Sequence, residues 1–204
     1  MSSPQRTRPR PPSELRDHGL LLRAWDPRSD DDAEAWLRGL TDPEFRRWNT
    51  PLRPVGDLDG ARRSLRTRAA LAEEGAVVSF HIADAADGTP LGHIGIDDIR
   101  PVMAVGRIGY WVLPEARGRG VATRAVLLAA DWALTEGALH RLELGHAVGH
   151  EVSCRVANRC GFLPEGTLRD AMFAPGRHDA FRDTHLHARL ATDPSPPDPS
   201  PPGP

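Results

Sequence analysis

Between Arg117 and Ala122 the chain reads Arg-Gly-Arg-Gly-Val-Ala, two glycines and two cations packed into six residues. Glycine at Gly118 and Gly120 lets the backbone turn tightly and converge several N–H groups on one point. If a helix starts there, its unpaired first-turn amides and the positive end of its dipole form an anion site suited to a diphosphate. Arg117 and Arg119 add positive charge. The run lacks the Gly-Lys-Ser/Thr of a nucleoside-triphosphate loop and the glycine spacing of a dinucleotide fingerprint, so those two readings lose support. Taken alone, it also suits a tight connection whose arginines face solvent.

Proton-transfer candidates are scattered. His93, Asp97 and Asp98 sit on or after one expected strand, Glu115 beside the glycine loop, and His146 and His150 after another strand. His146 with His150 at i, i+4, and His185 with His187 at strand spacing, resemble metal pairs; neither has a third ligand of clear spacing, so no metal is expected. All 26 basic residues are Arg, which removes Schiff-base and other lysine chemistry. The five tryptophans read as core and rim aromatics. Trp48 is the exception, because the connection Trp48-Asn49-Thr50-Pro51 is long enough to wall a pocket.

The elements that must position these residues follow from hydrophobic period and from breakers. Gly19 to Trp25 is an expected strand, and Ser29 with Asp32 opens a helix whose apolar set is Ala33, Trp36, Leu37 and Leu40. A second helix spans about Asp57 to Glu74, stopped by Gly75. Val77 to Ala83 and Leu91 to Ile96 read as strands joined through Asp87-Gly88. Arg107 to Leu113 is the next strand, Pro114 to Ala116 a turn, and Val121 to Glu136 an apolar helix ended by Gly137. Leu139 to Leu144, a helix from about Glu151 to Cys160, and strands near Gly166 to Phe173 and Phe181 to Leu190 complete the pattern. Early helices, antiparallel strands and then alternating strand and helix imply an α+β sheet with helices on both faces.

At 204 residues this is one domain with trimmings. Residues 1–14 and 192–204 are rich in Pro, Ser and charge and are expected to be a disordered arm and tail around a domain at 15–191. The arm has no apolar run long enough for a secretory signal. A net charge of −2, from 28 acidic against 26 basic residues, gives no field favouring nucleic acid or an anionic membrane. Cys154 and Cys160 lie six apart in one expected helix and face different directions, which suits a reducing, cytoplasmic setting.

The run Ile108-Gly-Tyr-Trp-Val-Leu-Pro-Glu-Ala-Arg-Gly-Arg-Gly-Val-Ala-Thr123 resembles the cofactor motif of the GNAT acyltransferase superfamily, Gln/Arg-x-x-Gly-x-Gly/Ala, here Arg117, Gly120 and Ala122. The likeness extends through Ser153, Asn158-Arg-Cys-Gly-Phe-Leu-Pro-Glu-Gly166 and Asp183-Thr-His-Leu-His-Ala-Arg-Leu190 toward the ribosomal-protein N-acetyltransferase branch. It implies a mostly antiparallel mixed sheet of six to seven strands, splayed between the fourth and fifth. It also implies acetyl-CoA as cosubstrate, with Tyr110, Trp111, Val112 and Leu113 beside its pantetheine arm and Arg117, Gly118, Arg119, Gly120, Val121, Ala122 and Thr123 around its diphosphate. Ser153 stands where the family has a serine near the sulfur, able to protonate the leaving thiolate; the residue equally suits a backbone-bonding place at a helix start. His150 stands where the family has Asn, and with Glu115 completes the catalytic candidates. The implied activity is acetyl transfer from acetyl-CoA to a primary amine, on a protein N-terminus or a small molecule, by direct attack in a ternary complex. The alternative is an acyl-CoA-binding module without turnover. A monomer or a homodimer fits either.

Overall fold

The computed structural model describes residues 9–197; the outer parts of the expected arm and tail fall outside the described residues. Eight strands form one sheet in the order β1-β2-β3-β4-β5-β6-β8-β7. They are β1 (Glu14–Asp17), β2 (Leu20–Ala24), β3 (Val78–Asp84), β4 (Pro90–Arg100), β5 (Val105–Val112), β6 (Arg141–Ala147), β7 (Leu163–Phe173) and β8 (Phe181–Leu190). Five α-helices accompany them among the described residues: α1 (Asp30–Thr41), α2 (Pro43–Trp48), α3 (Leu58–Glu73), α4 (Val121–Leu134) and α5 (Glu151–Arg159).

The α+β architecture is the expected one, with two corrections. The sheet has eight strands rather than six or seven, because Glu14–Asp17 pairs antiparallel with β2. This segment carries three charged residues in four and only Leu15 as an apolar residue, so alternation gives it no signal; it forms because the edge of β2 supplies hydrogen-bond partners. The connection between the first two expected helices also contains α2, whose start is set by Asp42 accepting from Phe45 N–H at 2.9 Å and by Pro43 at its first position.

Period-two alternation splits the side chains of β5 between two cores. Ile108, Tyr110 and Val112 pack with α4, α5 and the large cluster that includes Phe80, Leu142 and Phe162. Trp111 and Leu113 point the other way, into a cluster with Trp25, Trp36, Ala61 and Leu65 beneath α1 and α3. Gly39 of α1 lies so close to the Trp111 ring that an added Cβ would meet it at 2.3 Å. Gly39→Ala should therefore destabilise the fold by about 1–2 kcal/mol, overpacking outweighing the helix-propensity gain. A lowered urea midpoint with an unchanged m-value checks this.

Candidate active site

All strand neighbours pair antiparallel except β5 and β6, which are parallel and joined only at Val105–Arg107 against Arg141–Glu143. Beyond Arg107 the two strands part, with β5 running on to Val112 and β6 to Ala147. The N–H of Leu113 bonds Leu91 O of β4 at 2.9 Å, so alternation aims the amides of Tyr110 and Val112 at the gap. The splay is thus a stretch of unpaired strand edge inside the sheet, and these are the fourth and fifth strands of the sequence reading, shifted by one through β1.

The gap leads to the N-terminus of α4. Gly118 and Gly120 hold φ of +73° and +70°, a region where other L residues are strained. Gly120 is the N-cap and offers no side chain; no acidic residue occupies the first turn, and the first intrahelical bond is Arg124 N–H to Gly120 O at 3.1 Å. By contrast α1 fills its first turn with Asp30, Asp31 and Asp32 and is capped by Ser29. The positive end of α4 carries no side-chain cap and faces a cleft of about 470 Å³.

Trp111, Val112, Arg117, Gly118, Gly120, Val121, Ala122, Thr123 and His150 line that cleft. Leu113 is fully buried and its amide is used by Leu91. Arg117 is held by Asp42 at 2.5 Å and by the Val112 carbonyl at 3.1 Å, so it braces the loop against α2 as well as bordering the cleft. Arg119 turns toward Asp84 at 3.9 Å, away from the lining. Sequence reading missed Arg155 and Arg159, which with Val152 and Val156 bring one face of α5 to the cleft. Their i, i+4 spacing carried the signal.

Ser153 is buried in the first turn of α5, and its hydroxyl lies 3.0 Å from the Tyr110 hydroxyl. Burial pushes the Tyr110 phenol up to about 12, so it stays protonated. His150 stacks on Trp48 with ring centroids 4.3 Å apart and planes 3° from parallel. Burial, with His146 nearby, lowers its pKa to about 4, so the imidazole is neutral at physiological pH. Trp48 is fixed in turn by Glu44, which accepts its indole N–H at 2.7 Å, and by Arg182, whose guanidinium covers the ring and bonds the Trp48 carbonyl. Glu44 and Trp48 also face the cleft, which ties α2 to the site.

The remaining candidates stand elsewhere. Glu115 is ion-paired with Arg38 on the surface. His93 is enclosed in the aromatic cluster, contacting Trp25 Nε1 at 3.2 Å. Asp97 pairs with Arg68 at 2.9 Å and Asp98 with Arg107 at 3.5 Å. A second, open cavity of about 320 Å³ shares Phe45 and Asn49 with the cleft and is bordered by Thr50, Pro51, Met172 and Phe173. Thr50 Oγ1 bonds Ala174 O at 2.9 Å and accepts Gly176 N–H at 3.1 Å, locking the connection after α2 onto the β7–β8 hairpin.

With this geometry in view, the likenesses to known proteins are specific. Residues 19–163 match the model of the acetyltransferase (GNAT) domain. The chain is 37% identical over 92 residues to the putative ribosomal N-acetyltransferase YdaF of Bacillus subtilis, covering 45% of this chain and 50% of that protein. It is 32% identical over 100 residues to the ribosomal-protein-serine acetyltransferase of Escherichia coli, covering 49% and 54%. The chain thus spans about half the length of these curated relatives. Among solved structures, Mycobacterium smegmatis RimJ in complex with CoA-disulfide superposes with a TM-score of 0.75 at 28% identity, covering 89% of this chain and 88% of that one. The domain match, the splayed strands and the glycine loop agree, and the chain belongs to the GNAT acetyltransferase family.

Proposed function

We propose that this protein transfers an acetyl group from acetyl-CoA to the α-amine of a protein or peptide N-terminus. The observation that carries the reading is the gap between β5 and β6, which leads to the uncapped N-terminus of α4. An extended pantetheine arm can take up the free amides of β5 much as a strand would, and the diphosphate can accept from the first-turn amides of α4. Arg155 and Arg159 add cations on the opposite wall.

Acetyl-CoA supplies the activated acyl group. The amine nitrogen attacks the thioester carbonyl, the C–N bond forms as the C–S bond breaks, and the nitrogen's surplus proton leaves to water. The Val112 amide, facing the gap, is placed to donate to the carbonyl oxygen as negative charge develops there. Ser153 protonates the departing thiolate and takes a proton from the Tyr110 hydroxyl at 3.0 Å, and Tyr110, which lines the cleft, regains its proton from water.

The acceptor class follows from what the site lacks beside Glu44, whose carboxylate is engaged by the Trp48 indole. An α-amine with pKa near 8 costs only about 1 kcal/mol to deprotonate at pH 7, whereas an aliphatic amine near 10.4 costs over about 4. A His150 with pKa about 4 is too weak a base for the second task. The adjoining cavity is walled by Phe45, Pro51, Met172 and Phe173 and has no carboxylate to hold a polyamine. Both points favour a peptide α-amine entering past α2. The free thiols of Cys154 and Cys160 support a cytoplasmic setting, and no described helix is long and apolar enough to cross a membrane.

The test is thiol release from acetyl-CoA with a panel of peptides, amino acids, aminoglycosides and polyamines, followed from pH 5 to 9. Because His150 is already neutral above about pH 4, kcat/KM should rise tenfold per pH unit with deprotonation of the peptide amine and level off near its pKa, without an imidazole inflection. Faster turnover of spermidine than of any peptide would overturn the acceptor assignment. Tight acetyl-CoA binding without turnover of any amine would favour the non-catalytic module.

A further inference from the structure

Behind the first turns of α5, beside His150 of the cleft lining, four side chains that the acetyl-transfer reading does not use converge from three elements. His146 comes from β6, His185 and His187 from β8, and Cys154 from α5. His146 and His185 are Cα partners across the β6–β8 ladder, and His187 sits two residues along on the same face. His146 Nε2 lies 3.3 Å from His187 Nε2, and Cys154 Sγ lies 3.8 Å from the same His187 atom. The ligating atoms of His146, Cys154 and His185 all lie within 4.8 Å of one another.

The 3.3 and 3.8 Å separations at His187 Nε2 match edges of a small coordination polyhedron, and His185 stands within 4.8 Å of the His146 and Cys154 ligating atoms. For a tetrahedral zinc ion with Zn–N of about 2.0–2.1 Å and Zn–S of about 2.3 Å, neighbouring nitrogens stand about 3.3 Å apart and nitrogen and sulfur about 3.6 Å. The hydrogen bonding within the cluster also leaves a vacancy for a cation. His146 Nδ1 is 3.1 Å from the Ala147 carbonyl, which fixes its proton there and leaves Nε2 as a lone pair. His187 then has two choices. If its proton is on Nε2, its buried Nδ1 is an acceptor with no donor. If its proton is on Nδ1, its Nε2 lone pair faces that of His146 at 3.3 Å, with the Cys154 thiol 3.8 Å away as the only donor among the contacts of that atom. A metal ion between them satisfies both nitrogens at once. Cys154 and His185 are part-exposed, which gives the ion a way in.

The geometry points to a structural zinc site formed by His146, His185, His187 and Cys154, tying β6 and β8 to α5. Three neutral imidazoles and one thiolate are a borderline-soft ligand set suited to zinc over calcium or magnesium. Binding replaces the thiol proton with the metal, so one proton is released to water per ion bound and no redox change occurs. Spacing along the chain could not show this, because the ligands are contributed by two adjacent strands and a covering helix. Cys154 immediately follows Ser153, so an ion at this site would fix the helix that carries the proposed acid.

The test uses the full chain stripped with a chelator and titrated with Co²⁺ and then Zn²⁺. The expected result is one ion per chain, with the visible bands of tetrahedral cobalt and a sulfur-to-cobalt charge-transfer band, both bleached by one equivalent of Zn²⁺. Cys154→Ser should abolish the charge-transfer band, and both Cys154→Ser and His187→Gln should weaken zinc binding on the order of 100-fold. Zinc should raise the Tm of the native chain and leave that of either variant unmoved, a readout taken only on samples with native circular dichroism. Cobalt spectra like those of the hydrated ion, or equal zinc affinity in the native chain and both variants, would show that the cluster is a proton-sharing histidine network with no metal site.

Discussion

Replacing Gly120 by Asp should weaken coenzyme A binding by at least about 100-fold while leaving the protein folded. At φ +70° most side chains are strained, but Asp and Asn are the non-glycine residues that tolerate this region best. The space around Gly120 is open, with no heavy atom within 4 Å of an added Cβ, so sterics in the free protein contribute little. What changes is charge. A carboxylate at the N-cap competes for the first-turn amides of Val121, Ala122 and Thr123 and repels a diphosphate brought to the same point. One charge against another at about 4 Å amounts to roughly 4 kcal/mol at an effective dielectric of 20, and a 100-fold loss needs only about 2.7 kcal/mol. Gly120→Asn is the control, with similar size and backbone tolerance but no charge. It should lose far less affinity, and the gap between the two variants should narrow as salt is raised. Calorimetry of both with coenzyme A decides it. Equal affinities for native protein and Gly120→Asp would mean that the diphosphate does not sit on α4 and would remove the main support for the proposed activity.

The glycine loop was legible because its chemistry is local: two positive-φ glycines, a strand end and a helix start are all written within a few residues. The same holds for α1, whose apolar set packs into one core, and for β5, whose alternation divides it between two cores, whereas α4 is buried on nearly every side and α3 buries only Ala61 and Leu65. Legibility failed where a tertiary partner supplies the reason. β1 exists because β2 offers an edge, and α2 is a six-residue helix with no buried residue of its own. Arg117 looked like a phosphate ligand by its place in the motif, but Asp42, 75 positions away, also holds its guanidinium. Arg119 has the same motif credentials and turns to Asp84. The role of Arg182 in holding Trp48 against His150 joins β8 to α2 across most of the chain, and no window of sequence contains it.

Tyr110 is the site residue whose meaning depends most on the fold, and it carries the second large expected effect. In sequence it is one aromatic in a strand, set by the family resemblance beside the pantetheine arm, with nothing to mark its hydroxyl. In the structure its ring packs on the α4 side while its hydroxyl reaches Ser153 at 3.0 Å, the two arriving from β5 and α5 across the splay. A serine hydroxyl alone is a poor proton donor to a thiolate. A serine whose proton is replaced as it leaves is a better one, and the Tyr110 phenol, held protonated by burial with a pKa of about 12, can supply it. Both Ser153→Ala and Tyr110→Phe should then lower kcat on the order of 100-fold with the KM for acetyl-CoA changed less than about threefold, because the proton is needed only as the C–S bond breaks. The double variant should be little worse than either single one, since the two groups act as a unit. A leaving group that needs no proton separates this role from simple packing: an acyl donor with a low-pKa thiol should restore most of the lost rate in all three variants. Additive losses, or a loss that persists with the low-pKa donor, would show that the hydroxyl pair positions α5 without acting on the sulfur.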